Sequence, residues 1–128
     1  MLDMKEISIS GFEKVIEAED EEAGLHAFIA LHNTSLGPAL GGARIYPYSN
    51  PGDALTDVLR LARGMTYKSA VVSLGLGGGK SVIIANPKFQ KTEKLLKAFG
   101  EVVNTLNGSY IVAEDLGSST EDMIVIRK

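Results

Sequence analysis

The chain has 128 residues, no cysteine and a net charge of −3, and its pI is about 5.4. We expect residues 1–128 to form one domain, because this length supports a single hydrophobic core. The acidic balance argues against a nucleic-acid partner or an anionic membrane, and no apolar run approaches the ~20 residues that a membrane span needs. The absence of cysteine removes disulfide and thiolate chemistry and favours a cytoplasmic location.

The first half of the chain predicts strands followed by one long helix. Residues 14–18 and 25–31 have strand-like apolar patterns and are separated by an acidic turn, and residues 41–46 form a third strand candidate. Pro51 then begins a helix that carries Lys68 near its C-terminal end. The apolar residues of that helix recur at three- and four-residue steps: Leu55, Val58, Leu59, Ala62 and Met65.

The second half alternates strands with helices. A β-branched run at residues 82–84 predicts a strand. Thr92 is a candidate N-cap for a helix over residues 93–106, and Asn107-Gly108 is a typical helix stop.

The end of the chain predicts a short strand and a short helix. Residues 110–112 form the strand, and either Ser118 or Ser119 caps a helix that continues through Met123 and Ile126. Strands therefore come first, and helices and strands then alternate. This order predicts an α/β domain, three-layer-like, with a mixed, mostly parallel β-sheet flanked by helices.

A glycine-rich run, LGLGGGK, ends at Lys80. We interpret it as a turn that delivers the Lys80 amine to a buried strand. A phosphate-binding P-loop would need glycine at Leu74, and the dinucleotide fingerprint G-x-G-x-x-G would need it at Lys80 or Val82. Lys80 is therefore either a reactive amine, since apolar surroundings favour loss of its proton, or an ordinary solvated lysine on a tight turn.

Three further segments complete a pattern with this run. They read GPALGGAR at residues 37–44, GMTYKSA at residues 64–70 and VAEDLG at residues 112–117. In this order, the four segments resemble the amino-acid dehydrogenases that act on glutamate, leucine, phenylalanine and valine. The resemblance extends from about Phe12 to the C-terminus and is strongest to the leucine-specific branch.

The resemblance implies NAD-dependent oxidative deamination of an L-amino acid to a 2-oxo acid and ammonia. By position in the matching motifs, Lys68 would hold the substrate α-carboxylate and Lys80 would activate the attacking water. Asp115 would exchange protons with the amino group, whereas its neighbour Glu114 faces the other way. Without the family, Lys68 is a cation at a helix end and Asp115 a carboxylate at a helix start, both favoured by the helix dipole.

The resemblance also assigns the substrate surroundings. Gly41 and Gly42 would place backbone groups beside the substrate, and their alternative interpretation is a β-bulge or tight turn. Leu40 stands where glutamate-specific relatives carry lysine, which implies an apolar substrate side chain: leucine, valine or isoleucine, with phenylalanine still open. Leu40, Met65 and Ala113 are candidates for the pocket lining, although such residues are ordinary core as well.

Arg44 and Tyr46 carry no assigned role in the reaction. We interpret them as structural residues that contribute ion pairing and packing.

NAD would be bound mainly by a C-terminal dinucleotide-binding domain that has no counterpart in these residues, so we expect the chain alone not to turn over. No metal site is predicted. The family implies a homo-oligomer, and the edge strands within residues 14–31 could pair across an interface. A non-catalytic self-associating module is therefore one alternative function, and a pyridoxal-phosphate enzyme with Lys80 as its Schiff-base lysine is another.

Overall fold

The computed structural model describes residues 2–35, 37–71 and 76–127, the last three of the second range by their backbone alone. Leu74 and Gly75, which begin the glycine-rich run, lie outside the described residues. In chain order the elements are β1 (Asp3–Ile7), β2 (Lys14–Asp20), β3 (Leu25–Asn33), β4 (Ala39–Tyr46), α1 (Pro51–Val71), β5 (Gly77–Ile84), α2 (Glu93–Asn104), β6 (Tyr110–Glu114) and α3 (Thr120–Ile126). Within the described ranges, no helix is both long and apolar enough to cross a bilayer.

The strands form one six-stranded sheet in the order β1-β2-β3-β5-β4-β6. The predicted mixed α/β architecture is confirmed. The sheet is not mostly parallel, however: β4 is parallel to β5 and to β6, whereas the β1–β2, β2–β3 and β3–β5 pairs are antiparallel. Short connections join β1 to β2 and β2 to β3, so these pairs are antiparallel hairpins, whereas parallel neighbours need helical crossovers.

Helices cover the two faces of the sheet unequally. On one face, α2 and α3 pack over a large cluster that includes Ile45, Phe99, Val102 and Met123. On the other face, α1 packs on β2, β3 and β5 through a smaller cluster: Val15, Phe28, Ala30, Ala54, Val58, Ala62 and Val82. Of the residues that the structure describes, none from β4 or β6 belongs to the smaller cluster. The β4–β6 side of the α1 face is therefore left without a helix packed on it.

Two sequence expectations about strands need correction. The sequence does not predict strand β1, because its residues show no alternating apolar pattern. Almost all of these residues are exposed, and the strand is stabilised by its pairing with β2. The end of the glycine-rich run is not a turn, since β5 already begins at Gly77. A Cβ at Gly78 would lie 2.0 Å from the backbone nitrogen of Thr66 in α1. Glycine here allows a helix to approach a strand closely.

The predicted helix ends are confirmed. Thr92 caps α2 by accepting a hydrogen bond from the Leu95 amide, and Asn107 and Gly108 adopt positive φ angles after its end. For α3, Ser119 is the N-cap and forms a capping box with Asp122.

Candidate functional site

The α1 face of β4, β5 and β6 collects most of the predicted site residues. Alternation along the strands puts Gly42 and Arg44 of β4 on the same face as Lys80 of β5. Contacts confirm this placement, because Arg44 pairs with Asp57 of α1 and Lys80 pairs with Asp115, the residue after β6. Residues from three strands and one helix thus converge on the part of the sheet that α1 leaves open.

Lys80 and Asp115 meet across the middle strand of three. Strand β4 lies between β5 and β6, yet Lys80 Nζ is 3.2 Å from Asp115 Oδ2. Gly42 permits this contact: a Cβ there would lie 2.7 Å from Asp115 Cβ and 3.3 Å from Lys80 Nζ. The Lys80 side chain is only 8% exposed, so it is not the solvated lysine of the alternative interpretation.

Neither Gly41 nor Gly42 lies in a bulge of the β4–β5 ladder. The register is the same before and after them, with Ala39 opposite Gly77 and Ala43 opposite Ser81. A Cβ at Gly41 would lie 1.6 Å from the Gly79 carbonyl oxygen. Both glycines are therefore required by close approach within a regular ladder, and the bulge interpretation is wrong.

Arg44 links Asp115 to helix α1. Its Nε donates to Asp115 Oδ2 at 2.8 Å, and its Nη1 lies 3.5 Å from Asp57 Oδ2. The Tyr48 hydroxyl also donates to Asp57 Oδ2. The sequence predicted ion pairing for Arg44 but did not identify its partners. No local pattern marks Asp57 or Tyr48, because their partners come from other elements of the fold. Tyr46 packs edge-on against Tyr48, as expected of a structural residue.

The charges of this network keep both carboxylates ionised. Burial disfavours the charged form of Asp115, but the hydrogen bond from Arg44 and the charge of Lys80 hold its pKa below the usual value. Burial likewise opposes ionisation of Asp57, and hydrogen bonds from Tyr48 and Arg60 lower its pKa. Burial and the bond to Asp57 raise the pKa of Tyr48, which therefore remains a neutral donor.

The backbone of Asp115 is tied to β4. The Asp115 amide donates to Ser118 Oγ at 2.9 Å, and that hydroxyl donates to the Ala43 carbonyl at 2.6 Å. Asp122, rather than Asp115, occupies the first turn of α3. The alternative interpretation of Asp115 as a helix-start carboxylate is therefore wrong, and its position is set by the turn that fastens β6 to β4.

Lys68 is exposed in the last turn of α1. This location agrees with the alternative interpretation of Lys68 as a cation at a helix end. Within the described residues, no polar contact joins Lys68 to Lys80 or Asp115. Lys68 nevertheless follows Asp57 by about three helical turns, so both lie on the same flank of α1. The Asp57–Arg44 contact shows that this flank faces β4, which directs Lys68 toward the open side of the sheet.

The predicted lining residues surround this area. Leu40 is paired with Gly78 and Ile111, and Ala113 is paired with Gly42. Leu40, Ala113 and Met65 are all half-buried. Met65 directly precedes Thr66, the α1 residue that packs against Gly78. In the described parts of the chain, none of the three lining candidates belongs to either buried cluster, which disfavours their interpretation as ordinary core.

Two other features lie away from this site. Glu17, Glu19 and His26 place ligand atoms within 4.8 Å of one another, close enough to hold a cation. Glu17 Oε2 and His26 Nε2 already lie within hydrogen-bond distance of each other, at 2.7 Å. A groove of about 640 Å³ lies between α2 and the end of α3, and Lys97, Val112 and Ile126 are among its lining. It contains none of the predicted site residues.

The fold is that of an amino-acid dehydrogenase domain. Residues 11–128 match the family described as Glu/Leu/Phe/Val dehydrogenase, dimerisation domain, and the chain belongs to that family. The resemblance expected from the four segments is confirmed.

Individual relatives are similar over nearly the whole chain. Leucine dehydrogenase from Bacillus subtilis (strain 168) is 53% identical over 115 residues, which cover 90% of this chain and 32% of that protein. Phenylalanine dehydrogenase from Caldalkalibacillus thermarum (strain TA2.A1) is 50% identical over 116 residues, 91% of this chain and 31% of that one. The crystal structure of L-tryptophan dehydrogenase from Nostoc punctiforme superposes with a TM-score of 0.87 at 47% identity, covering 91% of this chain and 34% of that chain. The chain thus spans about a third of the length of these relatives.

Proposed function

We propose that the chain is the substrate-binding and catalytic-lysine domain of an NAD-dependent L-amino-acid dehydrogenase acting on leucine or a related apolar amino acid. The observation that carries this proposal is the contact between buried Lys80 and Asp115 across Gly42, on the open part of the sheet. An ammonium and a carboxylate held 3.2 Å apart can exchange protons with a substrate bound beside them.

The reaction removes hydride from the substrate α-carbon and hydrolyses the resulting imine. NAD supplies the hydride acceptor when it is bound. Lys68 would hold the α-carboxylate by a charge-assisted hydrogen bond. Lys80, once it has released its proton, would take a proton from the water that attacks the imine carbon. Asp115, which is ionised at rest, would first take a proton from the substrate ammonium and later return it to the nitrogen of the carbinolamine. The carbinolamine hydroxyl would then give its proton to Asp115, so that ammonia leaves with the electron pair of the C–N bond and the 2-oxo acid remains.

We expect the described residues not to form a dinucleotide site of their own. A pyrophosphate favours a helix N-terminus free of negative charge, whereas α1 and α2 carry Asp53 and Glu93 in their first turns. We therefore propose that NAD is held mainly by further chain, corresponding to the C-terminal domain of the longer relatives. The cofactor would then approach these residues only at the open side of the Lys80 site.

Calorimetry with 2-oxo-4-methylpentanoate tests the proposal. We expect the wild-type chain to bind this 2-oxo acid, Lys68→Ala to abolish binding through loss of the carboxylate contact, and Lys80→Ala to weaken it. Lys97→Ala is the matched control, because Lys97 is an exposed lysine on α2 that pairs with Glu93. A wild-type chain that is folded but binds no 2-oxo acid would contradict the proposal.

An apolar substrate side chain is supported by the lining at Leu40, Met65 and Ala113. The named relatives act on leucine, phenylalanine and tryptophan, all of which are apolar. We expect L-leucine to bind more tightly than L-glutamate, and Leu40→Lys to reduce that preference, with Leu40→Met as the volume-matched control. Equal binding of leucine and glutamate by the wild-type chain would argue against the proposed substrate class.

Self-association is a second proposed function, favoured by strand β1. The edge strands expected within residues 14–31 are not edges, because β2 and β3 both lie inside the sheet and β1 takes the edge position. This exposed strand pairs with β2 on one side, and the described residues provide no partner for its other side. The matching family is described as a dimerisation domain. We expect sedimentation equilibrium to give a homo-oligomer, whereas a monomer at every concentration would exclude this function for the chain.

A further inference from the structure

Arg44 joins carboxylates from two different parts of the fold. Its Nε contacts Asp115 after β6, and its Nη1 reaches Asp57 on α1. The Arg44 side chain is 22% exposed, and both carboxylates are similarly sheltered, so solvent screens these contacts only in part. A planar guanidinium can bridge two carboxylates with fixed geometry, which a lysine ammonium cannot do.

The two oxygens of Asp115 have different surroundings. Oδ2 accepts from Arg44 Nε at 2.8 Å and lies 3.2 Å from Lys80 Nζ. For Oδ1, the described residues provide no hydrogen-bond or ion-pair partner. The carboxylate is therefore held by one oxygen while the other remains available on the open side of the sheet.

We infer that Arg44 is a positioning residue for Asp115: with Asp57 and Tyr48 behind it, Arg44 anchors Oδ2 and leaves Oδ1 for the amino group of the substrate. This inference rests on the proposed function, which gives Asp115 its role with the amino group. Without Arg44, Lys80 would be the remaining cation on Oδ2, and the carboxylate could rotate about its Cβ–Cγ bond. Asp57 extends the anchor to α1, and so fixes the helix that carries Lys68 relative to Asp115.

The test compares three single variants of the whole chain. Arg44→Gln removes the guanidinium that bridges Asp115 and Asp57. Asp57→Asn weakens the contact that holds Arg44 to α1 and leaves the Asp115 side chain itself unchanged. Arg60→Gln is the matched control, because Arg60 pairs with Asp57 Oδ1 at 2.8 Å, the oxygen that Arg44 and Tyr48 do not use. Carbon-13 NMR of the Asp115 carboxyl, recorded over pH without ligand, reports its titration directly.

We expect Arg44→Gln to move the Asp115 titration upward by about one pH unit, because an opposite charge at this distance has been removed. Asp57→Asn removes a like charge as well as the support of Arg44, and these changes oppose each other, so it should move the titration much less than Arg44→Gln does. Arg60→Gln should leave the titration unchanged. Arg44→Lys keeps a positive charge but cannot bridge both carboxylates. It should therefore move the Asp115 titration upward by less than Arg44→Gln does. The acid limb of L-leucine binding, measured by calorimetry, should move upward together with the titration.

An unchanged Asp115 titration in folded Arg44→Gln would overturn the inference, as would an equal shift in Arg60→Gln. If Arg44→Gln does not fold, Arg44→Lys decides the question by the same criterion. The titration needs no ligand, so a wild-type chain that binds no amino acid would defeat the proposed function while leaving the Arg44–Asp115 relation measurable.

Discussion

Gly42 determines whether the two reactive groups of the site can meet. It lies on the strand between Lys80 and Asp115, and a methyl group at its Cα would intrude on both side chains. Arg44, two residues further on, then holds the carboxylate in place. At the scale of single residues, the site thus depends on the absence of a side chain at Gly42 and on the bridging guanidinium of Arg44.

Replacing Gly42 by alanine should separate Lys80 from Asp115. Overpacking of this kind costs about 1–3 kcal/mol, and we expect the free energy of unfolding in urea to fall by that amount while 2-oxo acid binding is lost. Gly64→Ala is the matched control, because a Cβ at Gly64 would have no heavy atom within 4 Å. This helix substitution should stabilise the chain by about 0.5–1 kcal/mol and leave binding intact. Normal binding by Gly42→Ala would refute the steric argument.

Stability should depend on pH through Asp57 and Asp115. Folding lowers the pKa of both carboxyls, so their contribution is complete above the unfolded value of about 3.9 and disappears as the pH falls through the folded values. The stability difference between wild type and Asp57→Asn should therefore be largest near neutral pH and shrink in acid. Urea unfolding from pH 7 to pH 2 measures it. Glu101→Gln, an exposed carboxylate change on α2, should show a small difference throughout.

At the scale of elements, the turn between β6 and α3 performs two separate tasks with adjacent serines. Ser118 fastens the Asp115 turn to the Ala43 carbonyl of β4. Ser119 caps α3 and shares a capping box with Asp122. The sequence predicted a serine cap without distinguishing the two, because both have the side chain that a cap requires.

Because the two serines have different tasks, we expect one alanine variant to affect stability and the other to affect ligand binding. Ser119→Ala should lower the free energy of unfolding by about 1 kcal/mol through loss of the cap, with ligand binding unchanged. Ser118→Ala should weaken 2-oxo acid binding, because the Asp115 backbone loses its tie to β4. Urea unfolding and calorimetry on both variants test this, and the reverse assignment of the two effects would show that the turn does not position Asp115.

At the scale of the whole molecule, the unequal coverage of the sheet defines where a ligand can bind. Helices α2 and α3 cover one face, whereas α1 covers only part of the other. The Lys80 site lies at the boundary, with a buried ammonium and an open side. The relatives with which the chain was compared are about three times as long, and we propose that their further chain would contact this open side.

The isolated chain should therefore bind substrate without oxidising it. We expect no NADH absorbance to appear with L-leucine and NAD, because we propose that further chain is needed to orient the nicotinamide. The same preparation should bind 2-oxo-4-methylpentanoate in calorimetry, which serves as the control for a folded site. NAD reduction by the pure chain, absent in Lys80→Ala, would show that the cofactor is bound here after all.

Local patterns in the sequence determined the helices, their caps and most strands, because propensity, capping and periodicity act over a few residues. The motif order also determined the family. The partners of Arg44 and the need for Gly42 were decided only by the tertiary structure. Arg44 and Asp115 are separated by 71 positions, and they meet because the sheet inserts β4 between β5 and β6. Strand order arises from packing of the whole chain, and no local pattern specifies which distant side chains it will bring together.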